Sequence, residues 1–116
     1  MAYLFAPAAP AGNAGPNAYD LFNSDRLNAI NTAPANGTVV IDLRNAGWTT
    51  VTRELFEAAA NRGDVNIVIY YRHWGNDFML TIPAGTFFSA TLLEAQYLEA
   101  SQIGDFIGLS PVPYSV

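Results

Sequence analysis

Hydrophobic and polar positions fall into a regular order only from Thr38 onward. Thr38-Val-Val-Ile-Asp-Leu-Arg44 alternates, with Val39, Ile41 and Leu43 on one side, and reads as a strand. Asn45-Ala-Gly-Trp48 reads as a loop. Thr50 suits the N-cap of a helix from about Val51 to Arg62, which Gly63 closes. Its apolar stripe is Val51, Leu55, Ala58 and Ala59, with Phe56 beside it. Glu54 and Glu57 near the start and Arg62 in the last turn complement the helix dipole. Val65 to Arg72 carries the strongest strand signal: Val65, Ile67, Ile69 and Tyr71 face one way, Asn66, Val68, Tyr70 and Arg72 the other. His73-Trp-Gly-Asn76 is a turn, after which Phe78, Leu80 and Ile82 alternate in a third strand ending at Pro83-Ala-Gly85. A strand–helix–strand unit prefers a right-handed crossover between parallel strands, and the hairpin adds an antiparallel neighbour.

The predicted fold class is therefore α+β. A small mixed β-sheet, built on a β-α-β-β core over about residues 38–82, carries one or two helices packed on it. The domain organisation expected is an arm over 1–37, a core domain over 38–108 and an extended tail over 109–116. Two parses fit the end of the core. In the favoured one, Thr91-Leu-Leu-Glu94 is a capping box and Leu93, Gln96, Tyr97 and Ile103 mark a helical face. In the other, Gln96–Glu99 is a short strand and Ser101 caps a helix ending at Gly108. The prolines of Leu109-Ser-Pro-Val-Pro-Tyr-Ser-Val116 keep the tail extended, as a second arm would be, with Val112, Tyr114 and Val116 alternating.

The first 37 residues hold four of the seven prolines and six of the ten asparagines, and no period is sustained through them. A segment with so little periodic apolar surface is ordered only when something holds it. Two apolar groups offer anchors. Tyr3-Leu4-Phe5 forms a tip, separated from the rest by an Ala/Pro/Gly spacer from Ala6 to Pro16. Tyr19, Leu21, Phe22, Leu27 and Ile30 form a second cluster, in which Ser24 or Asp25 would cap a short helix to about Asn31. Both groups can wrap back on their own domain; the favoured expectation is that the tip Tyr3-Leu4-Phe5 docks on another subunit, by strand addition or by filling a groove.

Composition narrows the partners. Charged residues make up only 13% of the chain, the net charge is −5, and every cation is an arginine. Clustered cations against phosphate are what nucleic-acid binding needs, so DNA and RNA are not expected as partners. No stretch approaches the length of a membrane span. No cation precedes the apolar start and Pro7 and Pro10 interrupt it, so no secretory leader is expected either. A surface covered by Asn, Thr, Ser, Ala and backbone suits a protein that buries much of it against neighbours.

Candidate chemistry is sparse. Cysteine is absent, which removes disulfides, thiolate metal sites and cysteine nucleophiles. His73 is the single histidine, so no multi-histidine metal site can form within one chain. Asp77 lies four residues on and Ser89 or Ser101 would be the nucleophile of a triad, but no nucleophile elbow is present. Asp42 and Arg44 share a face and suit an ion pair, with each other or with Arg72. No glycine-rich loop has phosphate-binding spacing. No catalytic residue, cofactor or metal is expected. The aromatic set Tyr70, Tyr71, Trp74 and Phe78, with Trp48 near it, is expected to be mostly core, with Trp74 at the hairpin tip open to a partner.

The run Thr38-Val-Val-Ile-Asp-Leu-Arg, then Trp48, Glu54-Leu-Phe-Glu-Ala, Val65–Tyr71 and Leu80-Thr-Ile-Pro-Ala-Gly85, ending near Phe106-Ile-Gly108, resembles a small domain of surface proteins of Gram-positive gut bacteria. The resemblance covers roughly residues 38–108, and Thr-Ile-Pro-Ala-Gly is its distinctive segment. It implies a non-catalytic binding or structural module. Phages of such bacteria carry similar small modules on their particles. The expectation is a bacteriophage capsid decoration, cement or other accessory virion protein, located on the virion. Copies of itself and a major capsid or other scaffold protein would be its partners. Tyr3, Leu4, Phe5, Tyr19, Phe22, Trp74 and Tyr114 are the partner-binding candidates. The alternative is a bacterial extracellular adhesion or filament module, or a carbohydrate-binding surface domain.

Overall fold

The computed structural model describes residues 17–114. The tip Tyr3, Leu4 and Phe5 lies outside them. The chain runs α1 (Ala18–Thr32), β1 (Thr38–Asp42), β2 (Thr50–Thr52), α2 (Glu54–Arg62), β3 (Asn66–His73), β4 (Asn76–Ile82), α3 (Ala90–Glu94), β5 (Tyr97–Glu99), α4 (Ala100–Ile107) and β6 (Val112–Pro113). A four-stranded mixed sheet has the order β1-β3-β4-β6, and β2 and β5 form a separate two-stranded sheet. The fold is α+β. β1 and β3 are parallel, with Ile41 opposite Ile69. β3 and β4 are antiparallel, with Ile69 opposite Leu80.

Several elements differ from the sequence-based expectation. The helix expected from Val51 starts at Glu54, and Thr50 does not cap it: Thr50–Thr52 instead pairs antiparallel with Tyr97–Glu99. A Thr-Val-Thr run is β-branched throughout and loses little by becoming a strand. The alternative parse of the region after Thr86 holds in outline, with an added helix. Ser89, not Thr91, caps α3 through its Oγ, which accepts the Leu92 N–H at 3.2 Å. Glu99, not Ser101, stands at the N-cap of α4, and Gly108 closes that helix with φ of 74°. The tail is extended as expected but is no free arm, because Val112 and Pro113 pair with Met79 and Phe78 as the fourth strand.

The largest difference lies before Thr38. The short helix expected from Ser24 or Asp25 is a fifteen-residue helix starting at Ala18, capped by Asn17, whose Oδ1 accepts the Asp20 N–H at 2.9 Å. Tyr19, Phe22, Leu27 and Ile30 fall on one face of it, and that face turns inward. Ile30 is fully buried. Asn23 is buried on the same face, donating to the Tyr19 carbonyl and accepting the Thr52 N–H at 3.0 Å, so it ties α1 to β2. Arg62 fastens the other end, donating to the Ile30 carbonyl at 3.0 Å while pairing with Asp64 at 2.9 Å. Residues 18–32 thus pack as part of the folded body.

One core forms on one side of the four-stranded sheet. Val39, Ile41, Ile67, Ile69, Tyr71, Leu80 and Ile82 meet Leu55, Phe56, Leu92 and Ile103 from the helices, with Phe56 edge-on to Phe88 at 5.5 Å. Gly104 allows α4 and the chain after it to close tightly: a Cβ there would collide with the Leu109 carbonyl. Both sheet edges are blunted. Asn66 bonds Gly37 and Leu43 bonds Tyr70, so odd-numbered residues of β1 bond β3 and the Val40 carbonyl points outward. There the Arg26 guanidinium caps it at 2.7 Å. At the far edge Tyr114 donates to Asp77, which places the donorless nitrogen of Pro113 on the open side.

Because Ile30 is buried against this core, Ile30→Ala should lower unfolding free energy by about 2–5 kcal/mol, read from urea denaturation. A change below roughly 1 kcal/mol would mean that α1 lies loosely on the body.

Candidate functional site

The helices cover one face of the four-stranded sheet. Among the described residues no element crosses the other face. Alternation places Val40 and Asp42 of β1, Val68, Tyr70 and Arg72 of β3, Asp77, Met79 and Thr81 of β4, and Val112 on that outer face. Val40 and Val112 are 43% and 46% exposed, and Val68, Tyr70 and Met79 are half-buried. Val40, Val68, Met79 and Val112 give the face an apolar strip.

An aromatic and ionic cluster stands beside the strip. The rings of Tyr70 and Tyr114 are 4.8 Å apart, and the Arg44 guanidinium carbon lies 4.7 Å from the first and 5.3 Å from the second. Asp42 accepts from Arg44 Nε at 2.9 Å and from its terminal nitrogen at 2.7 Å. That two-point contact holds the Asp42 carboxyl below the usual carboxylate range and keeps Arg44 more firmly protonated. One row along, Arg72 donates to Asp77 at 2.8 Å, which raises its own pKa. Asp77 also attracts Arg44, so the two pairs form one electrically neutral quartet around Tyr114. A shallow concavity of about 850 Å³ lies at this end, lined by Arg72, Asn76, Asp77, Phe78, Pro113 and Tyr114 with Gly75.

The remaining charge is distributed unevenly. Each of the five arginines has an acidic partner: Arg26 with Asp25, Arg44 with Asp42, Arg53 with Glu54 and Glu57, Arg62 with Asp64, and Arg72 with Asp77. The acids left over are Asp20, one of Glu54 and Glu57, Glu94, Glu99 and Asp105. All five lie on helices or on β5, none on the outer face, so the net charge of −5 belongs to the helical side.

Trp74 stands apart. It is 86% exposed, and its φ is 54°. His73 pairs with Asn76, so Trp74 and Gly75 form a two-residue hairpin loop in which both φ values are positive, as a type I′ turn requires. Asn or Asp is the usual first residue there, and a bulky aromatic in the left-handed region is strained. The exposed indole meets the ring of its neighbour His73 edge-on at 5.7 Å and takes no part in the core.

The aromatic residues expected to sit together are distributed over four places. Tyr71 and Phe78 stack on the core face at 5.6 Å, Tyr70 joins Tyr114 outside, and Trp74 is at the tip. Trp48 packs edge-on between Tyr19 and Phe22, at 5.3 and 5.5 Å. Of the partner-binding candidates, Trp74 is exposed and Tyr114 belongs to the outer-face cluster. Tyr19 is buried with its hydroxyl 2.9 Å from Thr50 Oγ1, and Phe22 is half-buried against the core, so both hold α1 in place. Tyr3, Leu4 and Phe5 lie outside the described residues. The groups considered for a triad are engaged elsewhere: Asp77 with Arg72, Ser101 with Glu99, and Ser89 as a helix cap. Among the described residues no acidic and histidine side chains cluster to hold a metal, and no helix is long and apolar enough to cross a membrane.

Comparison with family models, curated proteins and solved structures finds no match to this chain. The geometry of the outer face and of the tip therefore carries the functional reading by itself.

Trp74→Asn would create the Asn-Gly pair that this turn prefers. It should raise unfolding free energy by about 1 kcal/mol, measured by thermal or urea denaturation. A loss of stability would show instead that the indole is a structural element of the hairpin.

Proposed function

We propose that this chain is a non-catalytic structural protein that assembles with copies of itself and onto a scaffold, as a bacteriophage capsid decoration or other accessory virion protein does. The observation that carries the reading is the outer face of the four-stranded sheet, which no described element covers, with its apolar strip and neutral quartet. A one-sided sheet that keeps Val40 and Val112 near the surface has a ready contact for another protein. The low charge content favours the same reading. So does the absence of convergent polar groups around His73, Ser89 and Ser101 among the described residues. The blunted edges, with Arg26 on β1 and Pro113 on β6, favour groove filling over strand addition as the way the tip Tyr3-Leu4-Phe5 would latch a neighbour. The proposed location is the virion.

A second reading, an adhesion or carbohydrate-binding module of a cell surface, is favoured by Trp74 alone. Exposed indoles stack on sugar rings, and the concavity beside Asp77 and Arg72 offers polar groups near the hairpin end.

Removing residues 1–16 tests the assembly reading, since it takes away the tip Tyr3-Leu4-Phe5 together with its spacer. The truncated chain should fold and should no longer co-sediment with the particle or ring that the full chain joins. Unchanged assembly would remove the latch. Saturable shifts of the Trp74 indole resonance with soluble oligosaccharides, without self-assembly of the chain, would favour the second reading.

A further inference from the structure

We propose that the outer face of the four-stranded sheet is the contact between two copies of this chain, packed face to face about a two-fold axis. The proposal rests on the assembly reading above and specifies which surface meets which. It follows from how charge is divided over the molecule.

All five uncompensated acids, on α1, α2, α3, β5 and α4, lie on the helical side. Two copies meeting through helices would bring like charges together, and like-charge juxtaposition at an interface is strongly unfavourable. The outer face has no such penalty. Its four charged groups are two acids and two arginines, each satisfied within its own copy at 2.7 and 2.8 Å. A two-fold contact places the same patch on both sides and therefore requires a surface compatible with itself. The neutral quartet meets that requirement, because Asp42 and Asp77 of one copy can face Arg44 and Arg72 of the other without unpaired charge.

Composition agrees with the charge. Interface centres favour aromatic residues, methionine and arginine and lack lysine and glutamate. The outer face holds Tyr70, Tyr114, Met79, Arg44 and Arg72, with Val40, Val68 and Val112, and none of the chain's four glutamates. Tyr70, Tyr114 and Arg44 are already stacked on one another, so little side-chain freedom is lost on contact. Arg26 and Pro113 block edge-to-edge growth of the sheet, which leaves stacking as the route to a closed pair. The strands of this sheet have 5, 8, 7 and 2 residues, 22 in all; at a rise of about 3.3 Å and a spacing of about 4.8 Å they present on the order of 350 Å² in projection, below the ~800 Å² per partner of a standard interface. The dimer should accordingly be weak, in the micromolar range or above.

The chain has no cysteine, so single introduced thiols report the contact cleanly. Thr81→Cys and Val40→Cys sit on the outer face, and Ala60→Cys on the exposed side of α2 serves as control. In the full chain at up to about 1 mM, sedimentation should show a reversible dimer. A short bismaleimide should link Thr81→Cys or Val40→Cys in proportion to dimer, and Ala60→Cys should stay monomeric. Val68→Glu should weaken the dimer at least about tenfold, while Ala60→Glu, which adds the same charge elsewhere, should change it less than about twofold. The cross-linking arm stands even if Val68→Glu fails to fold.

A dimer in which Ala60→Cys links and the sheet positions do not would overturn the face assignment and leave self-assembly intact. A chain that stays monomeric to about 1 mM would overturn both. Dimerisation only after removal of residues 1–16 would assign the face to that segment and overturn the proposal as well.

Discussion

The structure depends on one constraint: β3 runs through the middle of the sheet and buries only one of its two faces. Ile67, Ile69 and Tyr71 are buried, and their neighbours in register, Ile41 on β1 with Leu80 and Ile82 on β4, extend the same surface. Once that surface exists, the helices have one place to go. Phe56, Leu55, Ile103 and Leu92 close on it, and α1 adds Ile30 at the side. Because side chains alternate strictly along a strand, burying one set commits the other set to the opposite face. Val40, Val68, Tyr70, Met79 and Val112 therefore reach a face that no described helix covers.

In the proposed assembly the outer face would make a single sheet both a foundation and a contact. Its ion pairs are exposed or half-exposed and contribute little to stability as isolated bridges. Their arrangement matters more for what may approach. The arginines and acids cancel within the face, while the helical side retains the full net charge, which gives the molecule a side that tolerates its like and a side that repels it. Trp74 lies outside this division. Its strained backbone and exposed ring stand at the end of the β3–β4 hairpin.

The period-two runs made the sheet legible from sequence. Val65–Arg72, Phe78–Ile82 and Thr38–Arg44 each alternate over enough residues to name both the strand and its buried face. The Asp42–Arg44 pair was legible for the same reason. Elsewhere long-range contacts decided what local pattern could not. Thr50–Thr52 has a good cap residue and a helical stripe after it, and only its partner Tyr97–Glu99 makes it a strand. In α1, the polar residues Asn23, Ser24, Asp25 and Asn28 obscure a buried face that needs Trp48, Thr50 and Arg62 to complete it. Tyr114 was identifiable as a contact candidate, but its stack on Tyr70 required β6 to return alongside β4. A quartet drawn from β1, β3, β4 and Arg44, two residues past β1, has no signature in the linear sequence.

The central claim is that the outer sheet face is the working surface of the protein. Hydroxyl-radical footprinting across a dilution series tests it on the native chain, because Met79, Tyr70 and Tyr114 on the face and Phe87 away from it all react readily when open. The account predicts that Met79, Tyr70 and Tyr114 become protected as concentration rises while Phe87, 81% exposed, keeps its reactivity. Reactivity on the face that does not change with concentration, while Phe87 or the helical side becomes protected, would contradict it.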